Sequence, residues 1–232
     1  MLVKSSSGTS ASSPAAERIR VALRLEAVTL SRISEDTVEK LAEISETTLS
    51  RFPRKLRGIS DDIKRWGGIY YGTPRLIKIC PTMTPDDTVE VFVHEIGHAL
   101  HYAICDHPAS AKAYKEFVTA VRDDNILRLT GIYWKASQDV PSLTDLFYNH
   151  KYANMRSVRG MYDRMQSDKQ LIPEQIFDEF QRNLFSRYSL KNLNEYFCET
   201  FTCWLTSPAP SEFARTIGIL VERYALFDTK DR

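Results

Sequence analysis

The sequence predicts an α+β fold that is mainly helical. One small sheet stands directly ahead of a long apolar helix, and a second buried helix lies near the C-terminus. Three observations predict this. Val89, Val93, Ile96, Leu100, Ala103 and Ile104 recur at helical spacing behind Thr84-Pro85-Asp86-Asp87, a helix start with a capping threonine, a first-position proline and two acids at the positive end. Residues 67–81 read as two short strands around the turn Gly72-Thr73-Pro74. From Pro173 onward the apolar pattern is helical, broken only around Pro208 and Pro210.

The chain of 232 residues is long enough for one sizeable core or one domain with a subdomain. With a net charge of +1 it carries no global field that would draw it to nucleic acid or to an anionic membrane, so neither is expected as a partner. No apolar run approaches a membrane span, and residues 1–16 lack the apolar segment of a secretory signal peptide. The cysteines, Cys80, Cys105, Cys198 and Cys203, form no Cys-x-x-Cys pair, so buried reduced thiols and a reducing compartment are expected.

Taken in order, residues 1–16 are rich in Ser, Ala, Thr and Gly and are expected to be a disordered leader, with the folded domain spanning 17–232. Ile19, Val21, Leu23 and Leu25 alternate and Val28 and Leu30 follow, which predicts a strand, or a strand followed by a helical turn, within 17–33. Ser34 then caps a helix whose apolar face is Val38, Leu41, Ile44 and Leu49. Arg51, Arg54, Lys55 and Arg57 form a small basic cluster, read as a solvated face. After the strand pair, the long helix covers 85–105, and a further helix 110–129. Residues 131–172 read as an irregular, aromatic-rich stretch, either a lid or ordinary packing between short helices. Helices follow from Pro173, over 193–206, and over 211–227. No internal repeat is visible.

Chemistry concentrates in the long helix as His94-Glu95-Ile96-Gly97-His98. Residues four apart stack on one helical face, about 6 Å apart along the axis, so two imidazoles can share one metal ion. Glu95 beside them can reach a water on that ion as a base. Nitrogen ligands, an open position and a base are the requirements of zinc catalysis. The alternative is a pair of ordinary core histidines, a weaker reading for a motif set in mid-helix between apolar residues.

A catalytic zinc needs a third protein ligand. His101 lies on the same stripe but about 10 Å along the axis from His94, too far for one ion on a straight helix, so it is expected behind the ligands or in the cleft. The better candidate is Asn194-Glu195-Tyr196-Phe197-Cys198-Glu199, where two glutamates four apart on an apolar helix are costly to bury without partners. Glu195 would bind the ion and Glu199 would accept a hydrogen bond from a ligand histidine, fixing its tautomer. Both glutamates facing solvent is the competing reading.

His94-Glu95-x-x-His98 followed by Asn194-Glu195-x-x-x-Glu199 resembles the gluzincin zinc peptidases. Tyr188, seven residues before Glu195, is similar to the pattern of the anthrax lethal factor catalytic domain and its Pro-Pro endopeptidase relatives, and in that family the tyrosine faces the metal. The resemblance covers residues 65–105 and 185–206. It implies a zincin-like metalloprotease domain holding one Zn2+ on His94, His98 and Glu195, with Glu95 as base and Tyr188 as oxyanion donor. It further implies a monomeric endopeptidase that takes a protein substrate as an extended peptide, by strand addition at the sheet edge. The serine-rich leader resembles those of bacterial effector proteases, which implies non-classical secretion into a host cytosol and a host protein as substrate. The alternatives are a housekeeping cytoplasmic peptidase and a catalytically silent zinc-fold binding protein, the latter at odds with an intact Glu95.

Overall fold

A computed structural model of the chain describes residues 13–52, 54, 56–65, 67–106, 111–143 and 155–225. It is α+β and mostly helical, with one four-stranded sheet. The described residues cluster into two compact units, those within 1–51 and 56–92, and those within 52–55 and 93–232.

The first unit begins with α1 (Pro14–Ala22), β1 (Ala27–Thr29) and α2 (Glu35–Thr47), and continues through a 3-10 turn (Leu49–Arg51), β2 (Gly58–Ser60), β3 (Gly68–Tyr71) and β4 (Leu76–Ile79). The sheet order is β1-β2-β4-β3. The expected strand pair forms, with Tyr70 opposite Ile77 in antiparallel register. Beyond it, β1, β2 and β4 run parallel, with Ala27 opposite Gly58 and Gly58 opposite Leu76. Gly58 permits that spacing, because a Cβ there would stand 3.0 Å from both the Ala27 carbonyl oxygen and the Leu76 side chain. Val28, Ile59, Ile77 and Ile79 bury the sheet.

The strand expected within 17–33 is confined to Ala27–Thr29, and the alternating run that suggested it begins in a helix, α1, which ends at Ala22. Ser13 Oγ accepts from the Ala16 amide at 3.2 Å, Pro14 sits at the first position, and Ala15, Ala16 and Ile19 are buried. Val21, needed on the buried face by the alternation, is 61% exposed. Of the residues assigned to the leader, 13–16 cap and open α1, while residues 1–12 lie outside the described residues. In α2, Val38 and Leu41 are buried as expected, and the Ser34 hydroxyl pairs with that of Thr37 at 2.7 Å rather than with the helix backbone.

α3 (Pro85–Cys105) has the span read from the sequence, and its start is held by Thr84 Oγ1, which accepts from the Asp87 amide at 3.2 Å. The second unit contains α3 from Val93 onward, α4 (Ala111–Asp139), α5 (Met155–Ser167), α6 (Glu174–Leu184), α7 (Leu193–Thr206) and α8 (Glu212–Ala225). Leu129, Tyr133, Val158, Met165, Phe180 and Leu184 are among its core residues. α4 does not stop near 129. Gly131 lies inside the helix, facing open space. Ile132, Tyr133 and Ala136 carry the buried stripe onward.

The stretch 131–172, expected to be irregular, is therefore largely helical where it is described, in the end of α4 and in α5. Residues 144–154 of that stretch lie outside the described residues, as do His107 and His150. The four cysteines are thiols rather than disulfides. Among the described residues no helix is long and apolar enough to cross a membrane.

Candidate metal centre

The site lies within the second unit, where α3 meets the first turns of α7. Gly97, between the two histidines, permits their close approach: a Cβ at that position would stand 3.3 Å from Phe201 Cδ1 and 3.4 Å from both Cys198 Cα and Sγ. A backbone atom cannot swing aside as a flexible side chain can. Gly97→Val is expected to destabilise the protein by about 1–3 kcal/mol through overpacking, read as a lower denaturation midpoint, and to weaken metal binding by separating His98 from α7. Phe201, stacked on Phe197 with centroids 6.0 Å apart, and edge-on to Phe52 at 5.8 Å, fixes the other side of this contact.

His94 and His98 project from α3 with ring centroids 4.9 Å apart. Across from them, Asn192 caps α7 by accepting from the Glu195 amide at 2.9 Å, which sets Glu195 in the first helical turn. One carboxylate oxygen, Glu195 Oε2, stands 3.3 Å from His94 Nε2 and 3.3 Å from His98 Nε2. The side chains of His94, His98 and Glu195 are only 12%, 13% and 9% exposed, which makes this a nearly dry convergence of ligand atoms. Oε2 is buried and accepts no hydrogen bond, although the two imidazole nitrogens lie at ion-pair distance. A tetrahedral ion with bonds of about 2.0–2.1 Å holds its ligand atoms roughly 3.3–3.4 Å apart, so both of these separations are compatible with one shared metal ion, zinc among those that suit such ligands.

The outer ring nitrogens are also engaged. His94 Nδ1 is 3.0 Å from Glu199 Oε1, and His98 Nδ1 is 3.3 Å from Asn194 Oδ1. With a metal bound, protons on the Nδ1 atoms, donated to these oxygens, would leave both Nε2 lone pairs free to ligate. Glu95 is buried beside His94, and its charge helps to raise the pKa of that histidine. Tyr188, in the 3-10 turn Tyr188–Leu190, packs against His94 with centroids 6.1 Å apart and remains 46% exposed. That turn is fixed by Ser186 Oγ, which accepts from the amides of Tyr188 and Ser189 at 3.0 Å each.

His101 is placed elsewhere. Its nitrogens are engaged by the Tyr114 hydroxyl at 2.9 Å and the Cys105 thiol at 3.5 Å, and its ring packs on Phe197. Burial, with the neighbouring charges of His98 and Lys115, lowers its pKa to about 4, so it is a neutral packing residue. Cys198, given no role by the sequence reading, lies against the ligands instead. The ligand atoms of His94, His98 and Cys198 all fall within 4.8 Å of one another, so this trio could also hold a metal.

One geometric feature favours Glu195 over Cys198 as third ligand. The thiol reaches the outer nitrogen of His98, Nδ1, at 3.2 Å, whereas Glu195 Oε2 faces the Nε2 of both rings. In the metal-free protein burial, then the charges of Glu195, Glu95 and Glu199, hold the thiol pKa well above its ordinary value. Asn194 and Lys191 were missed as well. Lys191 follows the 3-10 turn and precedes the Asn192 cap, outside the helix that carries Glu195, so no helical spacing pointed to its contact with that carboxylate.

The pH behaviour of the metal-free protein follows from this cluster. Burial acts to lower the pKa of His94, but the carboxylates of Glu195 and Glu199 outweigh it and raise the value to about 9. Burial likewise acts to raise that of Glu195, and the two histidines outweigh it, holding the carboxyl well below its usual range. A raised histidine contributes stability that is complete below its unfolded value of 6.5 and is lost as pH rises through about 9. The depressed carboxyl contributes above its unfolded value of 4.5 and loses that contribution as pH falls. In chelator, the melting temperature is expected to decline from pH 6.5 to 9, and in excess zinc this decline should be absent because the ion replaces the proton. A flat profile in chelator would contradict the pairing.

Comparison with protein-family models, with curated proteins and with solved structures gives no match for this chain.

Proposed function

We propose that the chain is a zinc-dependent endopeptidase of gluzincin type, resembling the lethal factor and Pro-Pro endopeptidase group, with a zincin-like arrangement of its two ligand helices. One observation carries this reading: two imidazole nitrogens converge on a buried carboxylate oxygen that has no hydrogen bond, one residue from a buried glutamate in the same helix. His94, His98 and Glu195 would hold the ion. Zinc bound there would supply a Lewis acid, which polarises a carbonyl and brings the pKa of water to about 7.

The chain's own residues do the rest. Glu95 takes a proton from the attacking water and later returns it to the leaving nitrogen, so that peptide C–N cleavage consumes one water and leaves the base unchanged. Tyr188 donates a hydrogen bond to the oxygen on which charge develops. Glu199 and Asn194 keep the two imidazoles oriented. A protonated His94 in the metal-free state means that loading the site at neutral pH displaces a proton.

The substrate on this reading is an extended segment of a protein, and the composition of the leader supports a host protein reached by export. Fusing residues 1–16 to a reporter tests that part separately. The activity itself is tested with a quenched fluorescent peptide library. Cleavage should cease in chelator and return with one equivalent of zinc, and turnover unaffected by chelation would end the proposal.

A further inference from the structure

The proposed mechanism leaves one charged group beside the site without a role. Lys191 follows Tyr188 by three residues and precedes Glu195 by four, and its Nζ donates to the Tyr188 hydroxyl at 2.8 Å and to Glu195 Oε1 at 3.4 Å. The same ammonium lies 4.6 Å from the centre of the Tyr188 ring. One cation therefore ties the candidate third ligand to the candidate oxyanion donor.

The direction of the hydrogen bond gives this contact its consequence. An ammonium has only protons to offer, so the tyrosine oxygen must be the acceptor. A phenol has one proton and two lone pairs, and with a lone pair occupied by Lys191 the proton remains available to an outside acceptor. The positive charge also draws electron density from the phenol oxygen, which makes that O–H a better donor. At the carboxylate, Lys191 engages Oε1 while Oε2 faces the two histidines, so the two oxygens have separate tasks and only one is presented to the imidazoles.

The geometry points to Lys191 as a positioning residue that aims the hydroxyl proton of Tyr188 at the substrate oxygen and holds Glu195 as a one-oxygen ligand. The inference rests on the zinc-peptidase reading for its catalytic part, but the contact itself does not. Its charge and reach both matter: arginine can replace the donor, whereas methionine keeps most of the stem and loses the ammonium.

The test joins a spectroscopic and a kinetic measurement on the full chain. The protein carries 11 tyrosines, and in protein labelled with carbon-13 at the tyrosine ring carbon bearing the hydroxyl, the signal absent from Tyr188→Phe is that of Tyr188. Lys191→Met should move that signal and Lys191→Arg should bring it back towards the wild-type position. With one zinc retained, Lys191→Met should lower kcat on the quenched peptide library about tenfold, a part of what losing an oxyanion donor costs, with KM unchanged. In a Tyr188→Phe background the same substitution should cost little further.

An unmoved Tyr188 signal overturns the inference, and so does an equal kcat loss in both backgrounds, which would mark Lys191 as merely structural. A moved signal in a protein that neither binds zinc nor cleaves peptide would overturn the peptidase reading and leave the Lys191–Tyr188 contact standing.

Discussion

Glu95→Gln is expected to retain one zinc per chain and to lose peptide turnover by about 10²–10⁴-fold, the range a positioned general base contributes. The amide keeps the shape of the buried side chain, so the fold and the ligands are preserved, but it cannot accept a proton from water. Glu95 lies outside the set of atoms that converge on Glu195 Oε2, and for that reason metal content is expected to be unchanged. Measured together, zinc stoichiometry and kcat separate binding from chemistry. A Glu95→Gln protein that cleaves at the wild-type rate would exclude the mechanism, and one that loses its zinc would place Glu95 among the ligands.

Glu195→Ala carries the other large effect: zinc content should fall from one per chain to well below stoichiometry. A ligand set reduced to two imidazoles no longer meets the three protein ligands that a catalytic zinc needs. Cys198→Ser serves as the opposing control. If Glu195 is the third ligand, Cys198→Ser keeps its zinc, and the cobalt-loaded wild type lacks a sulfur-to-metal charge-transfer band. If the trio of His94, His98 and Cys198 is the true site, both outcomes reverse. In chelator the Glu195→Ala protein should also show a smaller alkaline decline in melting temperature, because one of the two carboxylates that hold the His94 proton is gone while Glu199 remains.

These two helices show why part of the site was legible in the sequence. The spacing of His94 and His98, and of Glu195 and Glu199, is local information that an α-helix converts into position, and α3 and α7 have the spans the pattern predicted. What brings the pairs together is the glycine between the histidines, whose role depends on Cys198 and Phe201 a hundred residues away. The parallel strands were not legible for a related reason. β1 and β2 are three residues each, too short to show a period, and they are defined by partners distant in sequence. Alternation misled at Ile19 to Leu25, where the capping serine and proline decide the structure. His101 has the right helical face for the cleft, but Tyr114, on the following helix, takes its nitrogen.

The Asn192 cap gives the candidate ligands unequal kinetic standing. His94 and His98 sit deep within a helix of 21 residues, while Glu195 sits in the first turn of its helix, tied by one side-chain bond to the backbone. Terminal turns open far more often than helix centres. On the proposed reading, the carboxylate is the ligand that lets go first, and the residence time of the ion follows the fraying of a single turn at residues 192–195 rather than the stability of the fold.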